Sequence, residues 1–216
     1  TARRPERRAP PPAADRRGRR PSRRAHSPAT LMGNSKGGAD TIAFSVCHTD
    51  QLDLNILMGA ATGPSIMDVM PPQGTAQLAE TLRNPTRENV EKFMHLFAYD
   101  DSFVTDEWID LRWNAVRDHM KRGFREARLN GFQGRKNYTG ELNKVPNPTL
   151  VIYGEHDRFA AMDSSISLMR HYPNSELHIL RNCGHWVQFE LWEEFNELCT
   201  NWMKRQKQLQ AMAAKQ

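Results

Sequence analysis

Three residue types able to carry out nucleophilic catalysis lie far apart in the chain: a serine in Gly33-Asn34-Ser35-Lys36-Gly37-Gly38, an aspartate in Gly154-Glu155-His156-Asp157-Arg158-Phe159, and a histidine in Asn182-Cys183-Gly184-His185-Trp186. A serine hydroxyl attacks at neutral pH only when a base removes its proton, and an imidazole does so best when a buried carboxylate fixes its tautomer. Each residue alone has an ordinary alternative. Gly-x-Ser-x-Gly recurs by chance, Asp157 could be a turn or capping residue, and His185 could satisfy a backbone carbonyl.

The elements that must position these residues are legible around them. A short apolar run, Ala29 to Met32, precedes the serine, and a helical pattern, Lys36 to about His48, follows it. A strand feeding a helix through so tight a turn strains the central residue, and glycines two before and two after it would keep Cβ atoms apart. Ser35 then stands at a strand's C-terminal edge, with the Lys36 backbone amide available to an oxyanion. Leu52 to Met58 reads as a second strand, making a βαβ crossover and hence a parallel sheet. Leu150 to Tyr153 and Glu176 to Leu180 read as further strands. Asp157 and His185 each follow one of these, and in an open parallel sheet such ends share one rim, where ligand crevices form.

Between the second and third strands the periodicity turns helical: Thr75 to Arg83, Thr86 to about Tyr99, and Thr105 to about Leu129. Thr86 with Asn89, and Thr105-Asp106-Glu107, look like helix starts. Asp163 to His171 reads as an amphipathic helix, and a last helix covers Phe189 to Lys207. The organisation expected is a leader over 1–27, core over 28–62, an all-helical lid over 63–143, core again over 144–207, and a frayed tail over 208–216.

Charge is unevenly spread. Of a formal +5, residues 1–27 hold ten arginines against Glu6 and Asp15, a local +8, so the rest carries −3. The leader is Arg, Pro and Ala with no periodic apolar face, so disorder is expected. A basic arm for nucleic acid is one reading, but the leader lacks aromatics, lysine and amphipathic pattern. The preferred reading is text of the kind a GC-rich coding region yields in a wrong frame. No apolar run approaches a membrane span. Cys47, Cys183 and Cys199 are odd in number and widely spaced, which suggests neither a disulfide framework nor a zinc site and favours a reducing cytoplasm.

The three motifs resemble the α/β-hydrolase superfamily, in which the order Ser, Asp, His is the expected one. Within it they are most similar to the meta-cleavage product hydrolases, which break carbon–carbon bonds in the 2-hydroxy-6-oxo-dienoates of aromatic and steroid degradation. Asn55 to Gly59, Leu96-Phe97-Ala98-Tyr99-Asp100-Asp101-Ser102 and Leu111-Arg112-Trp113 add to the similarity, which covers about residues 28 to 205. The resemblance implies Ser35 as nucleophile, His185 as general base and acid, and Asp157 as its orienter. It further implies that Asn34 and Trp186 line the pocket and that Arg112 binds the substrate's carboxylate and enolic oxygen. The residues alone leave Arg112 a surface charge paired with Asp110 or Asp118. A small-molecule substrate, no cofactor, no metal, no nucleic acid or membrane partner, and a homodimer or higher homo-oligomer follow from the same likeness. A serine esterase or lipase of this fold, or an inactive fragment, is the alternative. A haloalkane dehalogenase is disfavoured because position 35 is not a carboxylate.

The pattern departs from that fold upstream of the elbow, where the only glycines are Gly18 and Gly33 and no Gly-rich loop offers the second oxyanion amide. On this likeness the N-terminal part of the fold is expected to be missing. The expectation is a sheet with one edge and one face bare, and a chain that, made as written, is poorly soluble with little activity.

Overall fold

The computed structural model describes residues 27–122 and 136–215. The leader reading falls on residues that lie almost wholly outside this range, as does the end of the helix expected to reach Leu129. Four strands, β1 (Ala29–Asn34), β2 (Leu52–Met58), β3 (Thr149–Gly154) and β4 (Ser175–Leu180), form one sheet in the order β1-β2-β3-β4, with every neighbour parallel. β2 and β3 are buried almost throughout because helices cover both faces, which is why their sequences are continuous apolar runs rather than alternations. β1 and β4 are the edges. On β1, Met32 is 46% exposed.

Helix α1 (Lys36–Cys47) and helix α5 (Met162–His171) cover one face, where Ile42 and Leu168 meet Leu57, Val151 and Tyr172. The other face receives the long C-terminal helix α7 (Trp192–Ala213), through Phe195, Cys199 and Trp202 against Leu54, Ile56, Leu150 and Ile152. Each such fully buried side chain contributes roughly 1.5–3 kcal/mol of transfer free energy. The single helix expected from Phe189 divides at Leu191, whose φ of −125° and ψ of 53° lie outside the helical region and separate a short α6 (Val187–Glu190) from α7. α7 also continues past Lys207 to Ala213, where fraying was expected after the apolar stripe ends. Its polar side supplies the reason: Lys207 Nζ and Gln210 Nε2 both hold Asp53 at the start of β2.

Between β2 and β3 run α2 (Gln73–Arg83), α3 (Arg87–His95) and α4 (Asp106–Lys121). Thr86 caps α3, its hydroxyl accepting from the Asn89 amide at 3.1 Å, whereas Thr105 precedes α4 without a side-chain cap. α3 stops at His95, four residues short of the expected Tyr99, because the chain turns there to lead Phe97 toward the sheet. Two apolar clusters hold these helices, one of Val90, Met94, Val104 and Ile109, the other of Phe93, Phe97 and Phe159. Trp186, which follows the histidine, packs against both. Arg87 ties α3 to α4 through Asp106 and Asp110. No helix among the described residues is long and apolar enough to cross a membrane.

The three cysteines carry free thiols in different surroundings. Cys47 is exposed, while burial pushes the Cys183 thiol up to about 12 and Cys199 up to about 11. Because the thiolate is the reactive form, an aromatic disulfide reagent at mildly alkaline pH should titrate one thiol in the folded protein and all three after denaturation. A second fast-reacting thiol would mean that the core around Cys183 or Cys199 opens readily.

Candidate active site

Parallel register aligns the strand ends, with Asn34 beside Met58, Met58 beside Ile152, and Gly154 beside Leu180. The pairing continues past those ends as the chain turns away: Ser35 N donates to Met58 O at 2.8 Å, Glu155 N to Leu180 O at 2.9 Å, and His156 N to Cys183 O at 2.9 Å. One rim therefore carries the turns that hold Ser35, Asp157 and His185.

Ser35 has φ 54° and ψ −117°, a left-handed conformation that non-glycine residues adopt at a cost of order 1–3 kcal/mol. A Cβ on Gly33 would lie 2.4 Å from Gly37 O, so the first elbow glycine is required as the spacing predicts. The second is not the one expected. A Cβ on Gly37 would meet nothing within 4 Å, whereas one on Gly38 would lie 2.5 Å from the Ala60 Cβ. Lys36 opens α1, where helix amides lack intrahelical acceptors, and its side chain turns outward to Asp40.

Asp157 and His185 meet. His185 Nδ1 lies 2.7 Å from Asp157 Oδ2, and both side chains are 1% exposed. The aspartate is also a turn residue, since its Oδ1 accepts from the Phe159 amide at 2.7 Å and the Ala160 amide at 2.9 Å. One oxygen thus serves the turn and the other the imidazole. His185 Nε2 is buried and makes no hydrogen bond. An orphaned nitrogen on an otherwise fully engaged imidazole is the group a proton-transfer partner would use. Asn34 bridges the elbow to the histidine, its Nδ2 donating to His185 O at 3.1 Å and more weakly to Met58 O at 3.4 Å.

Aromatic rings wall the imidazole. Phe97 stacks between Trp186 and Phe159, at 4.2 Å from each ring, and both Phe97 and Phe159 face His185 at 5.6 and 5.1 Å. Phe93 meets Phe97 edge-on at 4.5 Å. The half-buried Arg112 extends from α4 over that Phe93 ring at 5.8 Å, while Asp110 is engaged by Arg87. A separate groove of about 360 Å³ between β4 and α7, lined by His178, Glu194 and Arg205 among others, shares no residue with this rim.

A model of the Alpha/beta hydrolase family matches residues 5–198. The chain belongs to that family. Among curated α/β-hydrolase relatives, 2-hydroxy-6-oxononadienedioate/2-hydroxy-6-oxononatrienedioate hydrolases from Burkholderia vietnamiensis and Escherichia coli are similar to it. The first is 36% identical over 186 residues, covering 84% of this chain and 63% of its own length. The second is 35% identical over 179 residues, covering 81% and 62%. The chain thus spans a little under two thirds of these relatives. Two solved structures agree in shape. A 2-hydroxy-6-oxo-6-phenylhexa-2,4-dienoate hydrolase from Rhodococcus superposes with a TM-score of 0.75 at 26% identity, covering 82% of this chain and 64% of that one. A meta-cleavage product hydrolase from Pseudomonas fluorescens gives 0.72 at 29%, covering 83% and 65%.

Two contributors to this α/β-hydrolase site escaped the sequence reading. Gly59 follows β2 with φ 48°, and a Cβ there would lie 2.8 Å from the His185 ring and 3.1 Å from Asp157 Oδ2. A glycine directly after a buried strand was the available signal. Glu190 reaches the histidine loop from α6, and nothing in its sequence context marks it.

Proposed function

We propose that the protein hydrolyses a carbon–carbon bond in 2-hydroxy-6-oxo-dienoates, the ring-fission products of aromatic or steroid degradation. The observation that carries this is the buried His185, held on Asp157 at 2.7 Å with Nε2 unbonded, on the rim that also carries a serine in a strained elbow. The similarity to hydrolases of such dienoates supplies the substrate class. In this reading His185 removes a proton from Ser35 or from a water. A carbon–oxygen bond then forms at the carbonyl carbon remote from the carboxylate. The neighbouring carbon–carbon bond breaks, and its electron pair passes into the ketonised dienoate, which His185 protonates. Where Ser35 is the nucleophile, a water deprotonated by His185 then attacks the acyl ester, releasing the acid and returning the proton to Ser35; either way the products are a 2-hydroxydienoate and a carboxylic acid, and no cofactor takes part.

The Lys36 amide receives the developing oxyanion. Arg112 pairs with the substrate's carboxylate and enolic oxygen, a task suited to a planar guanidinium that never loses its charge. Asn34 and Trp186 border the reacting atoms, and the lid aromatics receive the substituent. The reading extends to a cytoplasmic homodimer or higher homo-oligomer acting on small molecules, with neither nucleic acid nor membrane as partner.

The test supplies purified protein with dienoates bearing aryl, alkyl or carboxyalkyl groups and, in parallel, with a p-nitrophenyl ester. Loss of the dienoate's visible absorbance in preference to ester hydrolysis is expected, and Arg112→Leu should lower kcat/KM roughly 10- to 100-fold, the worth of one lost charged hydrogen-bonding partner. Ester turnover with the dienoate left intact would instead make the protein a serine esterase.

A further inference from the structure

A half-buried carboxylate that the mechanism does not use lies against the histidine loop. Glu190, the last residue of α6, accepts from the Gly184 amide at 2.9 Å through Oε1 and at 3.0 Å through Oε2, and from the Tyr99 amide at 2.6 Å through Oε2. Those two amides belong to segments that already touch, since His185 N donates to Phe97 O at 2.7 Å. There is no slack between them: a Cβ on Gly184 would lie 2.6 Å from Phe97 O and 2.8 Å from Tyr99 N. The lid segment 97–99 and the loop 184–185 thus form a short zipper, with one carboxylate closing its end.

We propose that Glu190 is a positioning residue that fixes the backbone of His185, and so the direction of its free Nε2, by clamping the Gly184 and Tyr99 amides together. This inference rests on the proposed function, in which that nitrogen exchanges a proton with Ser35 or water. Three tethers hold the histidine. Asp157 takes the ring at Nδ1, Asn34 takes the carbonyl, and the zipper takes the amide. Of these only the zipper reaches the lid, so Glu190 couples the placement of the catalytic nitrogen to the seating of Phe97 beneath Trp186.

A charged acceptor suits the clamp. Hydrogen bonds to an ionised acceptor are roughly twice as strong as neutral ones, and one carboxylate satisfies two backbone donors that would otherwise be left unpaired. Burial raises the Glu190 carboxyl above its ordinary range, opposed by the amides of Tyr99, Gly184 and Trp186. The Asp157 charge raises it further, which places the clamp within electrostatic reach of the histidine's own partner. Glutamine at this position keeps the shape, but with its oxygen in the shared Oε2 place its N–H₂ group stands where Oε1 met the Gly184 amide at 2.9 Å, so donor faces donor and the clamp is loosened.

The experiment compares the parent protein with Glu190→Gln by three readouts: the downfield proton resonance of His185 Nδ1–H, the rate at which an aryl fluorophosphonate labels Ser35, and kcat and KM for the dienoate. Clamping predicts a shifted or broadened resonance, with labelling rate and kcat down roughly 10- to 100-fold while KM holds, the signature of a displaced catalytic group rather than a lost binding contact. If Glu190→Gln does not fold, Glu190→Asp, which keeps the charge and shortens the reach, is read in the same way. An unchanged resonance together with labelling and kcat within about twofold of the parent would overturn the proposal. A parent that is never labelled would defeat the enzymatic reading instead, and the resonance would still decide whether Glu190 orders the imidazole.

Discussion

Replacing Asp157 with asparagine is expected to cut dienoate turnover by about 10⁴-fold while leaving the fold standing, the size of effect that the same change has in serine protease triads. The reason lies in how the two oxygens are committed. Oδ1 accepts from the amides of Phe159 and Ala160, and only an oxygen can serve there. An asparagine must therefore keep its carbonyl on that side and turn its N–H₂ group toward His185 Nδ1. The amide would donate to Nδ1 and drive the ring proton onto Nε2. An imidazole in that tautomer cannot accept a proton from Ser35 or water. The bonds to the Phe159 and Ala160 amides and to Nδ1 are all kept, so the thermal midpoint should move by only a few degrees. The measurement is the rate of absorbance loss at saturating dienoate beside a thermal melt. Activity within about tenfold of the parent would show that Asp157 does not set the tautomer.

The largest expected loss of stability comes from a single methyl group. Gly154 ends β3, and a Cβ there would lie 2.0 Å from Gly184 O and 2.7 Å from Cys183 O. Both are backbone atoms, so no flexible side chain can yield. The flanking bonds from Glu155 N to Leu180 O and from His156 N to Cys183 O prevent the two segments from sliding apart. Gly154→Ala should destabilise the protein by about 3 kcal/mol or more, which for a chain of this size lowers Tm by roughly 6–12 °C. Gly37→Ala is the matched control, because a Cβ at that helical position meets nothing within 4 Å. There the higher helix propensity of alanine should leave stability equal or slightly raised. Urea unfolding of the two variants reads the difference directly, and equal midpoints would mean that the loop at Gly184 yields more easily than its packing suggests.

What could be read from the sequence was whatever depends on neighbours along the chain. The elbow, the apolar strands and the Thr86 cap are local patterns, and the strand ends are marked by the polar residues that follow them. Because a parallel sheet aligns those ends, placing Asp157 and His185 on one rim needed only the recognition of strands. Less legible was whatever depends on neighbours across space. Whether Gly37 or Gly38 must lack a side chain depends on Ala60 of the next strand's turn. The break at Leu191 falls where the α6 segment turns Glu190 back onto Gly184 and Tyr99, an arrangement that the stripe of Phe189, Trp192 and Phe195 does not reveal. Arg112 was ambiguous for the same reason, since its place over the Phe93 ring depends on the packing of α3 against α4.

The bond from the Asn34 amide to the His185 carbonyl joins residues 151 positions apart. Closing so long a loop costs entropy that is recovered only after the intervening sheet and helices have condensed, so such contacts belong to the last stage of assembly. A nascent or partly collapsed chain can already contain the elbow, yet it holds no organised imidazole beside it. Under the proposed function, regain of turnover on refolding is a stringent reporter that the entire domain, rather than any one part of it, has reached its native arrangement.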